Sequence, residues 1–159
     1  MSISKLEFGN KSNDLYMDKT IQEIEEEIVD EFSFFESWQD KYEYIIELGK
    51  KLKGYPEDKQ TGEYKVKGCQ SSVWLVTDET DGRIAFKADS DSTIVKGLIA
   101  LLIRVLNNRT PDEILNAKLD FIGKTGLQQH LAQTRANGLA AMIKQMKMYA
   151  LAYKAKQQI

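Results

Sequence analysis

The first residue in this chain that could do chemistry is its single cysteine, Cys69. It lies between a short, polar, turn-prone stretch (residues 62–67) and the β-branched and aromatic run 73–76, which is typical of a buried strand. A cysteine at such a junction lies on a connection, where reactive residues are more frequent than in packed elements. Lys65 and Lys67 would favour the thiolate if they also lie close in space. The sequence therefore predicts a reactive thiol.

The rest of the composition limits what this thiol can do. With no second cysteine, an intramolecular disulfide and dithiol chemistry of the Cys-x-x-Cys kind are excluded. One cysteine and one histidine cannot supply the usual zinc or iron–sulfur ligand sets within one chain. Cys69 must therefore act as a lone nucleophile or as a carrier.

The single histidine, His130, offers an alternative chemistry. A Cys-His pair is the signature of cysteine-dependent hydrolases and acyl transferases, in which histidine is the base. Cys69 and His130 are 61 positions apart and would have to meet in space. No oxyanion motif and no orienting Asn or Asp accompanies them, so the simpler interpretation is a histidine that completes a helical turn.

Several separate blocks of sequence resemble the signature of the SufE family. The first is Gly68-Cys69-Gln70-Ser71-Ser72-Val73-Trp74, and the others are Asp89-Ser90-Asp91, Ile94-Val95-Lys96-Gly97-Leu98-Ile99, His130-Leu131 and Arg135 with Gly138-Leu139. The resemblance covers roughly residues 32–150, in one order and without large gaps. It implies a protein that accepts sulfur from a cysteine desulfurase and passes it to iron–sulfur cluster assembly.

The resemblance also implies roles for individual residues. Cys69 would accept sulfur as a persulfide, and the residues around it in the pocket or at the partner interface would be Gly68, Gln70, Ser71, Asp91, His130 and Arg135. Arg135 would pair with a carboxylate such as Asp91. One departure lies at Ala132-Gln133, where the family usually has Ser or Thr followed by Pro. The start of the last helix is therefore expected to differ.

The resemblance further implies partners and a cofactor. The donor would be a SufS-type cysteine desulfurase that carries the pyridoxal phosphate, the recipient a downstream scaffold complex, and this chain would need no cofactor. The charge balance, 22 Lys plus Arg against 24 Asp plus Glu, gives no bulk positive field for nucleic acid. With no visible signal peptide or membrane span and with an unpaired cysteine, the sequence predicts a cytoplasmic protein.

The elements that must position the thiol follow from pattern. Residues 1–17 are predicted to be a flexible leader and residues 18–159 a single domain. Capping boxes predict helices after Thr20 and Thr110, Ser37 is expected to cap another, and the apolar run from Asp91 to about Asn107 predicts a central helix capped by Asp89, Ser90 or Asp91. Strands are predicted over about 63–67, 72–78 and 83–88. Together these give an α+β, SufE/NifU-like domain with a small three-stranded antiparallel sheet packed against helices.

Overall fold

The computed structural model describes residues 19–158, so the predicted leader, residues 1–17, lies outside the described residues. Along the chain, two antiparallel strands follow one group of helices and precede another, which confirms the α+β class. In chain order the elements are α1 (Ile21–Ser33), α2 (Trp38–Lys50), β1 (Val73–Thr80), β2 (Arg83–Ser90), α3 (Thr93–Leu106), α4 (Pro111–Asn116), α5 (Phe121–Lys124), α6 (Leu127–His130) and α7 (Gln133–Gln157).

Helix starts follow the local sequence closely, with one exception. Both predicted capping boxes form. The hydroxyls of Thr20 and Thr110 accept the backbone N–H of Glu23 and Glu113, and the carboxylates of these glutamates accept the threonine N–H groups in return. Ser37 caps α2 with its hydroxyl alone, which accepts the N–H of Asp40. Helix α3 forms as predicted, but its predicted caps were wrong: its cap is Ser92, whose hydroxyl accepts the N–H of Val95. Strand β2 extends through Ser90, so two of the three predicted cap positions still belong to the strand.

The sheet has two strands, and the predicted third strand over residues 63–67 was wrong. Residues Gly62–Tyr64 form a 3-10 turn instead. Beyond it only a single bridge forms, between Lys65 and Trp74, with the Val66 N–H donating to Val73 O at 2.8 Å. The left-handed backbone of Gly68 (φ +91°) then turns the chain away before a ladder can continue.

The hairpin between β1 and β2 agrees with the sequence. Asp81 and Gly82 form its tight turn, with φ values of +54° and +79°. Positive φ at both central positions is the type I′ pattern, which matches the twist of a two-stranded ribbon. The resulting register pairs Thr80 with Arg83 at the turn and Val73 with Ser90 at the open end. The open end of the hairpin therefore lies beside the cysteine segment.

Helix α3 lies at the centre of the core, as its nearly all-round apolar surface predicts. It packs on α2 at a glycine contact, where a Cβ added to Gly97 would lie 2.1 Å from Ile45 O. Its other neighbours are β2, α1 and α7, which contributes the fully buried Met142 and Met146. Within residues 19–158, no helix combines the length and apolar character needed to cross a membrane.

Candidate functional site

The cysteine lies in residues 67–72, here called the thiol loop, which enters β1. Gly68 takes a left-handed backbone conformation, and a Cβ added to it would lie 3.2 Å from the Cβ of Ala141 in α7. The loop is therefore pressed closely against α7 at this residue. A side chain there would meet both backbone strain and a crowded neighbour.

The other end of the thiol loop is held by the junction between β2 and α3. The N–H of Ser72 donates to the carboxylate of Asp91 at 3.0 Å, and its carbonyl accepts from the Ser90 hydroxyl at 2.7 Å and the Asp91 N–H at 3.2 Å. Three hydrogen bonds thus hold both the backbone N–H and the backbone carbonyl of Ser72. Cys69 lies between this anchor and the Gly68 turn.

The thiol of Cys69 is half-buried and turned toward α7. Its Sγ donates to the carbonyl oxygen of Gly138 at 3.5 Å. Burial raises the pKa of the Cys69 thiol, because desolvation disfavours the thiolate. Burial is the cause of this shift, and neither Lys65 nor Lys67 contributes to it. The resting thiol is protonated and inward-facing.

Beside the thiol lies a cavity of about 300 Å³ between the loop, α3 and the first turns of α7. Its buried surface is apolar, from Val95, Leu98, Leu139 and Met142. Its outer part is polar, with Gln70, Ser71 and Arg135 among the residues that line it. A small group attached to Cys69 would therefore enter a cavity whose base is apolar and buried and whose mouth is polar.

The expected Asp91–Arg135 pair is not formed. Asp91 instead anchors Ser72, whereas half-buried Arg135 lines the cavity, and its guanidinium makes no ion pair or hydrogen bond with any residue from 19 to 158. Helix α7 begins at Gln133, and no side chain caps it at Ala132. The departure from the family pattern at these two positions thus coincides with an uncapped helix start next to Arg135.

His130 is engaged away from the thiol. Its ring stacks on Trp38 with centroids 4.0 Å apart, and its Nδ1 lies 3.0 Å from the carbonyl oxygen of Gly126. The Tyr42 hydroxyl also donates to the His130 carbonyl at 2.9 Å. His130 does not line the cavity, and no hydrogen bond joins it to Cys69. The contacts fit a histidine that completes a helical turn.

Sequence reasoning did not assign to the site two residues that hold it together, one of which, Ser90, was considered only as a helix cap. Gly138 accepts the thiol hydrogen bond, and Ser90 fixes the Ser72 carbonyl. Both stand in blocks that resemble the family signature, which was the only available signal, since their partners lie far along the chain. Over residues 19–158, no group of three or more His, Cys, Asp or Glu side chains is arranged to hold a metal ion.

Fold and site together define a small α+β protein that presents one thiol at the mouth of a partly apolar cavity. The model of the SufE family, described as an Fe–S metabolism associated domain, matches residues 26–150. The chain belongs to the SufE family and has a role in Fe–S metabolism.

Individual relatives agree with the family assignment. An uncharacterized SufE-like protein of Rhizobium meliloti (strain 1021) is 44% identical over 130 residues, which is 79% of this chain and 93% of the relative. One from Synechocystis sp. (strain PCC 6803) is 41% identical and covers 82% of each chain. The solution structure of a hypothetical protein from Thermus thermophilus has the same fold, with a TM-score of 0.69 at 17% identity over 83% of this chain and 96% of that one.

Proposed function

We propose that this protein accepts persulfide sulfur on Cys69 from a cysteine desulfurase of the SufS type, stimulates that enzyme, and delivers the sulfur to a scaffold complex for iron–sulfur cluster assembly. The observation that carries the proposal is the position of Cys69. Its half-buried thiol is held between the Gly68 turn and the Ser72 anchor, at the mouth of a cavity large enough for one added atom. The protein would act in the cytoplasm, as a carrier without a cofactor of its own.

The transfer step is a thiol exchange. The Cys69 thiolate attacks the outer sulfur of the donor's persulfide, forming a new S–S bond as the donor's own S–S bond breaks. The donor cysteine leaves as a thiolate and takes up a proton. One S–S bond replaces another, so no outside oxidant or reductant is needed.

The cavity suits the product of this step. A persulfide on Cys69 is open to attack by any thiol in solution, which would remove the outer sulfur. The buried apolar residues at its base, Val95, Leu98 and Met142, offer a place where the outer sulfur would have less contact with water and with small polar thiols. The same burial, however, keeps the resting thiol protonated. At an ordinary pKa of about 8.5 only about 3% of a thiol is ionised at pH 7, and burial lowers that fraction further.

Reaction with the donor therefore requires the thiol loop to turn Cys69 outward when the partner docks. Exposure restores the ordinary pKa and brings Sγ within reach of the donor's active site. The left-handed Gly68 and the exposed residues on either side of the thiol, Lys67 and Gln70, allow such a change more readily than a helix or strand would. The desulfurase, which supplies the pyridoxal phosphate, would remain the enzyme of the pair.

The test is intact-mass analysis after incubation with L-cysteine and the cysteine desulfurase of the same organism. The wild type should gain the mass of sulfur, and Cys69→Ser should gain none, because a hydroxyl stays protonated at neutral pH. Incubation without L-cysteine is the control for carried-over sulfur. Sulfur on the serine variant would contradict the proposal. Turnover of an ester or amide substrate by the isolated protein would instead favour a hydrolase.

Binding and chemistry should separate in the same variant. Cys69→Ser should bind the desulfurase within about a factor of ten of wild type, since one sulfur atom is worth roughly 1 kcal/mol. Its stimulation of sulfide release should nevertheless vanish, because the acceptor atom is missing. Full stimulation by Cys69→Ser would show an allosteric activator in which Cys69 is not the working group.

A further inference from the structure

On the side of the thiol loop away from the cavity, a groove of about 700 Å³ runs between residues 63–68 and the outer face of α7. We call it the lysine groove, because Lys65, Lys67 and Lys144 line it against a single carboxylate, Glu63. All three lysines are exposed, and none forms an ion pair with any residue from 19 to 158. In a chain whose formal net charge is −2, this is a local excess of positive charge.

The surface between these lysines is partly apolar. Ala140, Ala141 and Met148 recur along one face of α7 at helical spacing and line the groove. Met148 is 52% exposed and Leu151, three residues further, is 57% exposed. Large apolar side chains so exposed are few among residues 19–158, and of these two, Met148 lines the groove while Leu151 lies about one helical turn beyond it on α7. Exposed apolar side chains with polar and charged residues around them are typical of an interaction surface.

The groove is continuous with the site. Gly68 lines it, and Cys69, the next residue, lines the cavity on the other side of the thiol loop. Ala141, in the groove, is the neighbour that a Cβ at Gly68 would meet at 3.2 Å. A segment bound in the groove would therefore touch the residue at which the loop must turn.

We infer that the lysine groove binds an acidic, partly apolar segment of the sulfur donor, an inference that rests on the proposed function. Carboxylates of that segment would pair with the three lysines, and its apolar side chains would cover Met148 and Ala141. The apolar side chains of Met148 and Ala141 favour a polypeptide over nucleic acid, because a phosphate backbone has no apolar side chains that could cover them.

The binding test compares two charge reversals on the same helix. Lys144→Glu reverses a charge in the lysine groove. Lys156→Glu makes the same change of charge at an exposed lysine about 18 Å further along α7. Calorimetric titration with the desulfurase of the same organism should give a Kd about three- to tenfold higher for Lys144→Glu at low salt, and a Kd close to wild type for Lys156→Glu. The difference should shrink in high salt, because exposed charges are then screened.

A second measurement separates docking from chemistry. Inorganic polysulfide delivers sulfur without a protein partner, so Lys144→Glu should load Cys69 from polysulfide at the wild-type rate while loading more slowly from the desulfurase. If the desulfurase loads Lys144→Glu and Lys156→Glu with sulfur equally fast, the docking role of the lysine groove is contradicted, but the proposed function is not. A wild type that takes no sulfur from the desulfurase would overturn the proposed function as well. If Lys144→Glu weakens binding of a single-stranded RNA oligonucleotide and not of the desulfurase, the occupant is not an acidic polypeptide.

Discussion

The Sγ of Cys69 lies 3.5 Å from the carbonyl oxygen of Gly138, so the only thiol of the chain faces the first turns of α7 rather than solvent. Two consequences follow from this one contact. The thiol is held protonated by burial, and the surface that a partner meets first consists of the residues around Cys69. Under the proposed function, reactivity and docking would therefore be carried by different groups.

The raised pKa of the Cys69 thiol predicts the pH dependence of its alkylation. Because the pKa lies above the ordinary value, the folded protein should react with iodoacetamide more slowly at pH 7 than the urea-unfolded chain. The gap should narrow as the pH rises toward the folded-state pKa, where both forms become ionised. Reduced access alone would give a gap that does not change with pH, and that result would contradict the prediction.

Replacement of Gly68 should damage the thiol loop specifically. Gly68→Ala places a Cβ on a backbone with φ +91° and 3.2 Å from Ala141. The free energy of unfolding should fall by about 1–2 kcal/mol, and sulfur uptake by Cys69 should slow. Gly62→Ala is the matched control, because a Cβ there meets nothing within 4 Å and its φ is not positive. Equal effects in urea unfolding would refute the role assigned to the turn.

Asp91 should matter as an acceptor for the loop rather than as a charge. Asp91→Ala removes the bond to the Ser72 N–H and should cost up to about 1 kcal/mol, with faster hydrogen exchange at that amide. Asp91→Asn keeps a side-chain oxygen in place and should behave nearly as wild type in both measurements. If the asparagine variant is as damaged as the alanine variant, the carboxylate acts through its charge.

His130 should be dispensable for sulfur transfer. His130→Ala removes the ring stacked on Trp38, so tryptophan fluorescence should change, most clearly in a Trp74→Phe background where Trp38 is the only tryptophan. Sulfur uptake by Cys69 should stay within about twofold of wild type, since no contact joins His130 to the thiol. Loss of uptake in a variant with unchanged unfolding would place His130 in the chemistry and favour the hydrolase alternative.

The contact between α2 and α3 should tolerate no side chain at Gly97. A Cβ there would lie 2.1 Å from Ile45 O, so Gly97→Ala should destabilise the protein by about 3 kcal/mol or more in urea unfolding. Gly123→Ala, inside α5, meets nothing within 4 Å and should be neutral or stabilising by up to about 1 kcal/mol. A small effect at Gly97 would mean that the two helices can move apart at little cost.

Sequence alone determined the features that depend on residues close along the chain. The capping boxes at Thr20 and Thr110 and the Asp81-Gly82 turn each form from neighbours within three positions, so composition and spacing were enough to locate them. The apolar run of α3 likewise revealed its own burial. The resemblance around Cys69 identified the family, because it is a property of residue order and not of shape.

Tertiary structure decided everything that depends on contacts between distant segments. A strand was predicted over residues 63–67, yet the 3-10 turn at Gly62–Tyr64 and the Gly68 turn that follows leave only one bridge to β1. Asp91 binds Ser72 rather than Arg135, and His130 stacks on Trp38. Each of these partners lies far along the chain, so no local sequence pattern could identify it. The pKa of Cys69 is set in the same way: sequence placed two lysines beside it, but its burial against α7 determines the direction of the shift.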